Sequence, residues 1–420
     1  MGRVIVVGGG ASGMMAALFA AEAGAEVTLL EHNEKLGKKV YITGKGRCNL
    51  TNDCDRDTFL SNVPRNPRFL YSALDFFSPQ HMMALLEKAG CPVTVQRGRR
   101  VFPASEKASD VTRALTGLLS RHAVSVRLGA EAASLTLASG RVSGVRLADG
   151  SILPADAVIL ATGGFSYPAT GSTGDGYRMA ASLGHSVADP SPVLVGLETE
   201  ETWPADLQGI SLKNVTLTLR EKKKILFQEL GEMLFTHFGV SGPLALTASC
   251  HLPADLSKAE LLLDLKPGLD PEQLDARLRR DFQAAGRRQL RHVLPGLLPA
   301  RLAELFPALC GFPPELNCNQ VTSPQRETLV RTLKALPLHI ASPRPVTEAV
   351  VTRGGVSVRE VDPRSMASKL VPGLFFAGEL LDVDAHTGGY NLQIAWSTGA
   401  LAGAHAAAFI PENKEDLSRR

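Results

Sequence analysis

The amino-terminal segment constrains the fold most, because it joins a strand pattern, a glycine-rich turn and a helix. Residues Arg3–Val7 are mostly β-branched, and glycines follow in the spacing G-x-G-x-x-G. This pattern predicts a strand covered on both faces, followed by a turn that brings backbone N–H groups close to a pyrophosphate. A second apolar run ends at an acidic residue, which suits the hydroxyls of a ribose. The predicted dinucleotide contacts are Gly8, Gly10, Ser12, Gly13 and Glu31.

Composition agrees with an enzyme of two or three domains. The chain has 420 residues, of which 44% are hydrophobic and 21% charged, and a net charge of +3. That charge is too small to indicate a nucleic-acid or membrane partner by itself. The six cysteines form no C-x-x-C pair and no cluster with zinc spacing, so we expect no metal site. No signal peptide or membrane span is recognisable, so we expect a cytoplasmic protein.

The pattern of strands and helices predicts a nucleotide-binding domain built from both ends of the chain. Its first part covers 1–190, and its second part covers 346–410. Between them lies an inserted substrate or cap region, 191–345, which is β-rich and then helical. Residues 57–122 are expected to be largely helical. The charged end, 411–420, is expected to be a flexible tail.

Two later motifs resemble the nucleotide contacts of the two-dinucleotide-binding flavoproteins. The first is a strand that ends in small residues, Ala161-Thr-Gly-Gly164. In the second, a strand delivers Gly378-Glu379, and a helix starts near Gly389. Such flavoproteins usually place an acid on the ribityl chain at this point, with the helix N-terminus at the flavin pyrimidine. The implied contacts are Ala161, Thr162, Gly163, Gly164, Gly378, Glu379, Gly388, Gly389, Tyr390, Asn391 and Leu392.

A glycine-rich loop, Thr43–Asn52, narrows the resemblance when it is combined with Val351–Gly355 and Leu234–Pro243. With these blocks the chain resembles the aminoacetone-oxidase-like family of bacterial FAD-dependent oxidoreductases. The resemblance implies an α/β fold: a Rossmann-type, glutathione-reductase-like FAD-binding domain with an inserted β-barrel-like and helical region. It also implies non-covalent FAD. Lys45 interrupts the family's glycine run, so it either adds a donor near the cofactor or faces water. Further expected cofactor contacts are Lys38, Gly44, Gly46, Arg47, Cys48 and Asn49.

Three residues are candidates for the acid that completes a reduction. Cys48 lies beside Arg47, a setting that can lower a thiol pKa, and would protonate the substrate carbon next to the one that receives hydride from flavin N5. The alternative is that Cys48 is a small buried loop residue. His386 is either a general acid or a solvent-facing loop residue. Tyr390 would stack on the flavin or donate a hydrogen bond.

Three functions remain open from the sequence. The first is reduction of an activated C=C bond in a small conjugated, enone or steroid-like substrate. The second is flavin-dependent reduction of a pyrimidine in RNA to dihydrouridine, suggested by seven arginines within 277–301. The third is a non-catalytic flavin redox sensor or binding module. No second strand–G-x-G-x-x-G–helix unit follows the first, so NAD(P)H would dock only transiently as electron donor. The oligomeric state is left open.

Overall fold

The computed structural model describes residues 2–409, which form two compact units. The first unit comprises Met1–Val193 and Val346–Arg420, and the second comprises Leu194–Pro345. The tail predicted at 411–420 lies outside the described residues.

Helices and strands are numbered along the chain. The strands are β1 (Arg3–Val7), β2 (Glu26–Glu31), β3 (Thr51–Asn52), β4 (Val93–Gln96), β5 (Arg100–Pro103), β6 (Ser125–Leu128), β7 (Ala132–Ala138), β8 (Arg141–Leu147), β9 (Ile152–Pro154), β10 (Ala157–Leu160), β11 (Val187–Val193), β12 (Leu197–Thr199), β13 (Ser211–Glu221), β14 (Lys224–Thr236), β15 (Gly239–Ser241), β16 (Ala259–Asp264), β17 (Leu336–Pro343), β18 (Val351–Val356) and β19 (Leu374–Phe376). The helices are α1 (Ala11–Glu22), α2 (Lys38–Ile42), α3 (Arg56–Ser61), α4 (Tyr71–Phe76), α5 (Pro79–Lys88), α6 (Ala108–Arg121), α7 (Asp175–Ser182), α8 (Trp203–Asp206), α9 (Gly242–Ser249), α10 (Pro271–Ala285), α11 (Ala300–Leu309), α12 (Ser323–Lys334) and α13 (Tyr390–Ala408).

A parallel sheet of strand order β19-β10-β1-β2-β6 forms the centre of the first unit. β1 and β10 are almost wholly buried, as their continuous apolar sequences predict for strands covered on both faces. Because the strands are parallel, the carboxyl ends of β1, β2, β10 and β19 meet at one edge. The Rossmann-type fold is therefore confirmed, and its ligand-binding edge carries the predicted motifs.

Two helices of the first unit pack backbone to backbone. Added Cβ atoms at Gly399 and Gly403 of α13 would collide with the carbonyl oxygens of Ser12 and Ala16 in α1. Only glycine permits this approach, and it holds α13 directly beside the helix that follows the glycine-rich turn.

The second unit is a closed antiparallel barrel of strand order β12-β15-β14-β13-β16-β17, accompanied by helices α8–α12. Along β16 and β17 buried and more exposed residues alternate, so one face of each strand supplies the core. The expectation of an inserted barrel-like and helical region is confirmed. Within residues 2–409, no helix combines the length and apolar character that a bilayer crossing requires.

Candidate functional site

The glycines in the turn after β1 serve two structural purposes. A Cβ on Gly8, whose φ is +104°, would lie 2.5 Å from the Ala161 carbonyl oxygen, and a Cβ on Gly13 would collide with the Gly8 carbonyl oxygen. A Cβ on Gly10 meets no described atom within 4 Å. Gly8 and Gly13 therefore serve the packing of strand against helix, whereas Gly10 borders open space.

The amino end of α1 is suited to an anion. Among the described residues no side chain caps α1, and its first turn contains no acidic residue. The first N–H groups of a helix lack intrahelical acceptors and, with the helix dipole, attract negative charge. This end of α1 thus fits a pyrophosphate, as the sequence predicts.

Glu31 closes the carboxyl end of β2. Its carboxylate accepts hydrogen bonds from the Gly9 N–H at 2.8 Å and from the Asn33 N–H at 2.8 Å. The Asn33 amide adds a third donor at 2.7 Å. Since an ionised carboxylate has about four acceptor positions, capacity remains for a ribose hydroxyl. The ribose contact stays a prediction.

The second motif leaves a buried hydroxyl unsatisfied. Thr162 Oγ1 is buried and has no hydrogen-bond partner among residues 2–409. A Cβ on the neighbouring Gly164 would lie 2.6 Å from Thr352 Oγ1 and 3.0 Å from Glu379 Oε1. The segment Ala161–Gly164 thus lies against Glu379, and its orphaned donor fits a polar ligand at this edge.

Glu379 is held by protein donors. Its carboxylate accepts from Lys39 Nζ at 2.6 Å, from Ser166 Oγ at 2.7 Å and from the Thr352 N–H at 2.8 Å. Burial alone raises the pKa of Glu379, but the Lys39 ammonium holds that pKa below its usual range. These three donors were not found from the sequence. The neighbouring Lys38, which the sequence predicted as a cofactor contact, donates to the Asn33 amide oxygen at 3.1 Å and to Glu34 at 3.2 Å.

The glycine-rich loop and the start of α13 are fastened together. Thr51 Oγ1 donates to Gln393 Oε1 at 2.7 Å, and the Trp396 indole donates to the Leu50 carbonyl at 2.9 Å. Asn52 Nδ2 donates to the Gly388 carbonyl at 3.1 Å. The structure therefore brings these two separated motifs together, through Gln393 and Trp396, which sequence reasoning missed.

Arg47 and Lys45 both face outward. The Arg47 guanidinium pairs with Glu106 at 3.2 Å and lies 4.5 Å from the centre of the Phe102 ring. Lys45 is exposed. The expected contact of Arg47 with the cofactor and both alternatives for Lys45 stay predictions.

Cys48 is enclosed in the core, where the thiol pKa is raised rather than lowered. Its side chain is 0% exposed, and burial raises the pKa of the thiol to about 12. The expectation of a lowered thiol pKa is wrong, because the adjacent guanidinium turns toward Glu106 rather than toward the sulfur. The alternative of a small buried loop residue describes the position of Cys48.

The loop before α13 positions the other two acid candidates. His386 is half-buried, with Nδ1 3.3 Å from Asn62 Oδ1. The Tyr390 ring is buried edge-on against Phe59 at 5.1 Å. Asn391 braces this loop, since its amide accepts from the Ala385 N–H at 2.9 Å and donates to the Ala385 carbonyl at 2.7 Å.

The remaining predicted contacts lie on these same segments. A Cβ on Gly378 would collide with the Ser12 hydroxyl, and a Cβ on Gly389 would collide with the Thr51 carbonyl oxygen. Positive φ angles, which favour glycine, occur at Gly44, Gly46, Gly163, Gly378, Gly388 and Gly389. Asn49 and Leu392 are partly buried, in the glycine-rich loop and in the first turn of α13.

The arginine-rich stretch 277–301 of the second unit is only partly paired with carboxylates. Arg277 forms an ion pair with Asp281 at 2.8 Å, and Arg279 forms one with Asp275 at 2.8 Å. Arg301 donates to backbone carbonyls of the same unit. Carboxylates therefore compensate two of the seven arginines that suggested RNA, and Arg280, Arg287, Arg288 and Arg291 form no ion pair within residues 2–409.

Comparison with known proteins gives matches along almost the whole chain. A family model described as HI0933-like protein Rossmann domain matches residues 2–405. A 3-dehydro-bile acid delta(4,6)-reductase of Clostridium scindens is 33% identical over 413 residues, which cover 97% of this chain and 99% of that protein. A ribosomal RNA dihydrouridine synthase of Escherichia coli is 30% identical over 396 residues, which cover 94% and 95%.

Among solved structures, the chain is similar to a 3-ketosteroid-delta4-(5alpha)-dehydrogenase of Rhodococcus jostii in complex with 4-androstene-3,17-dione. The identity is 17%, the TM-score is 0.53, and the match covers 96% of each chain. This likeness shows the fold. The narrower aminoacetone-oxidase-like label stays a prediction.

Proposed function

The chain belongs to the HI0933-like Rossmann-domain family and is an FAD-dependent oxidoreductase, and we propose that it reduces an activated C=C bond of a small conjugated, steroid-like substrate. The observation that carries the proposal is the 33% identity, over 97% of the chain, to a reductase named for a 3-dehydro-bile acid. NAD(P)H is the proposed electron donor.

The residues at the sheet edge fit FAD. The uncapped start of α1 provides N–H donors for a pyrophosphate, and the open space beside Gly10 lets the pyrophosphate approach them. Glu31 retains acceptor capacity for the adenosine ribose. When bound, FAD supplies the hydride that the reduction needs.

The start of α13 supports the flavin end of the same ligand. This helix is 19 residues long, and within the described residues its first turn has neither a side-chain cap nor an acidic residue. Its amino end therefore offers positive potential, which stabilises negative charge that develops nearby. Close packing of α13 on α1 fixes that end relative to the glycine-rich turn.

We place the proton donor at His386. The Cys48 thiol is enclosed in the core, and the Tyr390 ring packs against Phe59, whereas His386 is partly exposed on the loop that leads into α13. Its Nδ1 lies 3.3 Å from the Asn62 amide oxygen, a contact that would hold the ring in place on this loop, and the ordinary pKa of histidine suits proton transfer near neutral pH.

The proposed reaction is tested with purified protein. Cofactor released by heat should be FAD by chromatography, and NAD(P)H-driven turnover should remove a C=C bond from a steroid 4,6-dien-3-one, as seen by mass spectrometry. Release of FMN, or the absence of flavin after reconstitution, would contradict the cofactor assignment. A flavin-loaded protein that leaves conjugated ketones unchanged would contradict the substrate class.

Reduction of RNA pyrimidines is the second candidate, and a local observation favours it beside the synthase relative. The turn that carries Arg97, Arg99 and Arg100 is tied to the candidate site, because Asn52 Nδ2 bridges the Gly98 and Gly388 carbonyls at 3.0 and 3.1 Å. Polyanion binding at that turn would bring RNA to the loop before α13.

The RNA candidate is tested by two charge-reversal variants. Changing Arg97 and Arg100 to Glu should weaken the binding of structured RNA if the turn is the contact. Changing Arg280, Arg287 and Arg291 to Glu tests the stretch 277–301 separately. Wild-type protein with no salt-dependent RNA affinity would remove this candidate.

A further inference from the structure

The Lys39 side chain extends from α2 to two segments at the carboxyl edge of the parallel sheet. It is the second residue of α2, is 22% exposed, and places Nζ 2.6 Å from Glu379 Oε2 and 2.6 Å from Ser166 Oγ. The lysine thus reaches from the segment after β2 to the segments after β10 and β19.

Among the described residues, the hydrogen bonds of this cluster use two of the three N–H donors of the Lys39 ammonium. A lysine ammonium carries three N–H donors, and the carboxylate and Ser166 Oγ take two of them. Ser166 uses its own proton on Glu379 Oε1, and the Thr352 N–H occupies that oxygen as well. Three of the about four acceptor positions of Glu379 are therefore taken, and its ionised carboxylate has no proton to donate. Lys39 keeps one N–H without an acceptor among residues 2–409, and an N–H is the group that a phosphate oxygen requires.

The cluster stands where the second and third nucleotide motifs meet. Glu379 directly follows Gly378 beyond β19, and a Cβ on Gly164 would lie 3.0 Å from its Oε1. A ligand held between these two motifs would pass beside the Lys39 ammonium. The side chains of Lys39 and Glu379 are similarly exposed, at 22% and 19%, so a ligand can reach both, and only the ammonium can donate a hydrogen bond to it.

We propose that Lys39, rather than Glu379, donates the hydrogen bond to bound FAD at this point, to an oxygen of the ribityl or phosphate groups. Glu379 is then a positioning residue, which holds the ammonium in place. The assignment rests on the proposed function only in taking FAD as the cofactor.

The test compares two lysine-to-methionine variants by titrating their apoproteins with FAD. Lys39→Met should weaken the FAD dissociation constant by about 10- to 150-fold, the loss of one hydrogen bond from a charged donor. Lys88→Met is the matched variant, because Lys88 is exposed in the last turn of α5 and belongs to none of the nucleotide motifs. It should leave the constant near the wild-type value. Equal effects of the two variants would overturn the proposal.

A second variant distinguishes a contact of Lys39 with FAD from a contribution of Lys39 to the stability of the fold. Lys39→Met leaves the Glu379 carboxylate buried without its cation, and this alone lowers stability. The double variant Lys39→Met/Glu379→Gln removes that charge, so the thermal midpoint of the apoprotein should recover while FAD affinity stays weak. Recovery of both would show that Lys39 acts only on the fold and would overturn the proposal. Failure of wild-type protein to bind FAD would instead contradict the proposed function.

Discussion

Replacing Gly10 with Val should strongly weaken FAD binding while leaving the fold intact. The backbone at Gly10 has φ −77° and ψ −164°, which valine adopts without strain. The added Cβ meets no atom of the described residues within 4 Å. Valine ranks below glycine as a helix N-cap, so we expect a loss of about 1 kcal/mol in the free energy of unfolding of the apoprotein.

The effect on binding should be larger than the effect on stability. The side chain would occupy the space through which a pyrophosphate reaches the first N–H groups of α1. One hydrogen bond to a charged group contributes about 1.5–3 kcal/mol, and the helix terminus about 0.3–1 kcal/mol. Loss of both corresponds to about 2–4 kcal/mol, or about 30- to 700-fold in the dissociation constant.

Gly13→Ala is the contrasting variant for this experiment. Its Cβ would collide with the Gly8 carbonyl oxygen, so the apoprotein itself should be destabilised by about 3 kcal/mol or more. Urea unfolding of both apoproteins and titration with FAD, followed by flavin fluorescence, measure the two quantities. Wild-type FAD affinity in Gly10→Val, or unfolding of Gly10→Val comparable to that of Gly13→Ala, would refute the assignment of this space to the pyrophosphate.

Two further predictions concern the loop before α13. His386→Gln should retain FAD but slow substrate reduction by about 10²–10⁴-fold, whereas Cys48→Ala should turn over near the wild-type rate; a slow Cys48→Ala with normal FAD content would reverse this assignment. Arg353 forms a bidentate ion pair with Asp384, whose side chain is 0% exposed. Arg353→Met should therefore cost about 3–5 kcal/mol in urea unfolding, and Arg364→Met, whose guanidinium is 83% exposed, about 0–1 kcal/mol. Similar losses for the two arginines would contradict the burial argument.

The parts of the fold that depend on local contacts were predictable from the sequence. The glycines at positions 8 and 13 are demanded by close approaches within one β-α unit, so their spacing alone indicates the turn. The strand patterns within β13 and β16 were also recognisable from their apolar residues. Closure of the barrel was predicted only through the family resemblance, since strand order depends on pairings between distant segments.

Other features depended on spatial relations that one-dimensional patterns do not contain. The region 57–122 was expected to be largely helical, but it contains the strands β4 and β5. Each strand is only four residues long, and an arginine-rich turn joins them, so the sequence shows no clear strand pattern there. Which of the adjacent Lys38 and Lys39 faces the site depends on the rotation of α2, about 100° per residue. The pKa of Cys48 was misjudged because neighbours in sequence need not be neighbours in space.

The central claim is that this FAD-dependent protein reduces a conjugated small molecule. The most direct measurement is to reduce the bound flavin anaerobically, mix it in a stopped-flow instrument with a steroid 4,6-dien-3-one or with structured RNA, and follow flavin reoxidation. The proposed function predicts rapid reoxidation by the dienone, with loss of one C=C bond, and none by RNA. Reoxidation by RNA alone, with dihydrouridine formed, would contradict it.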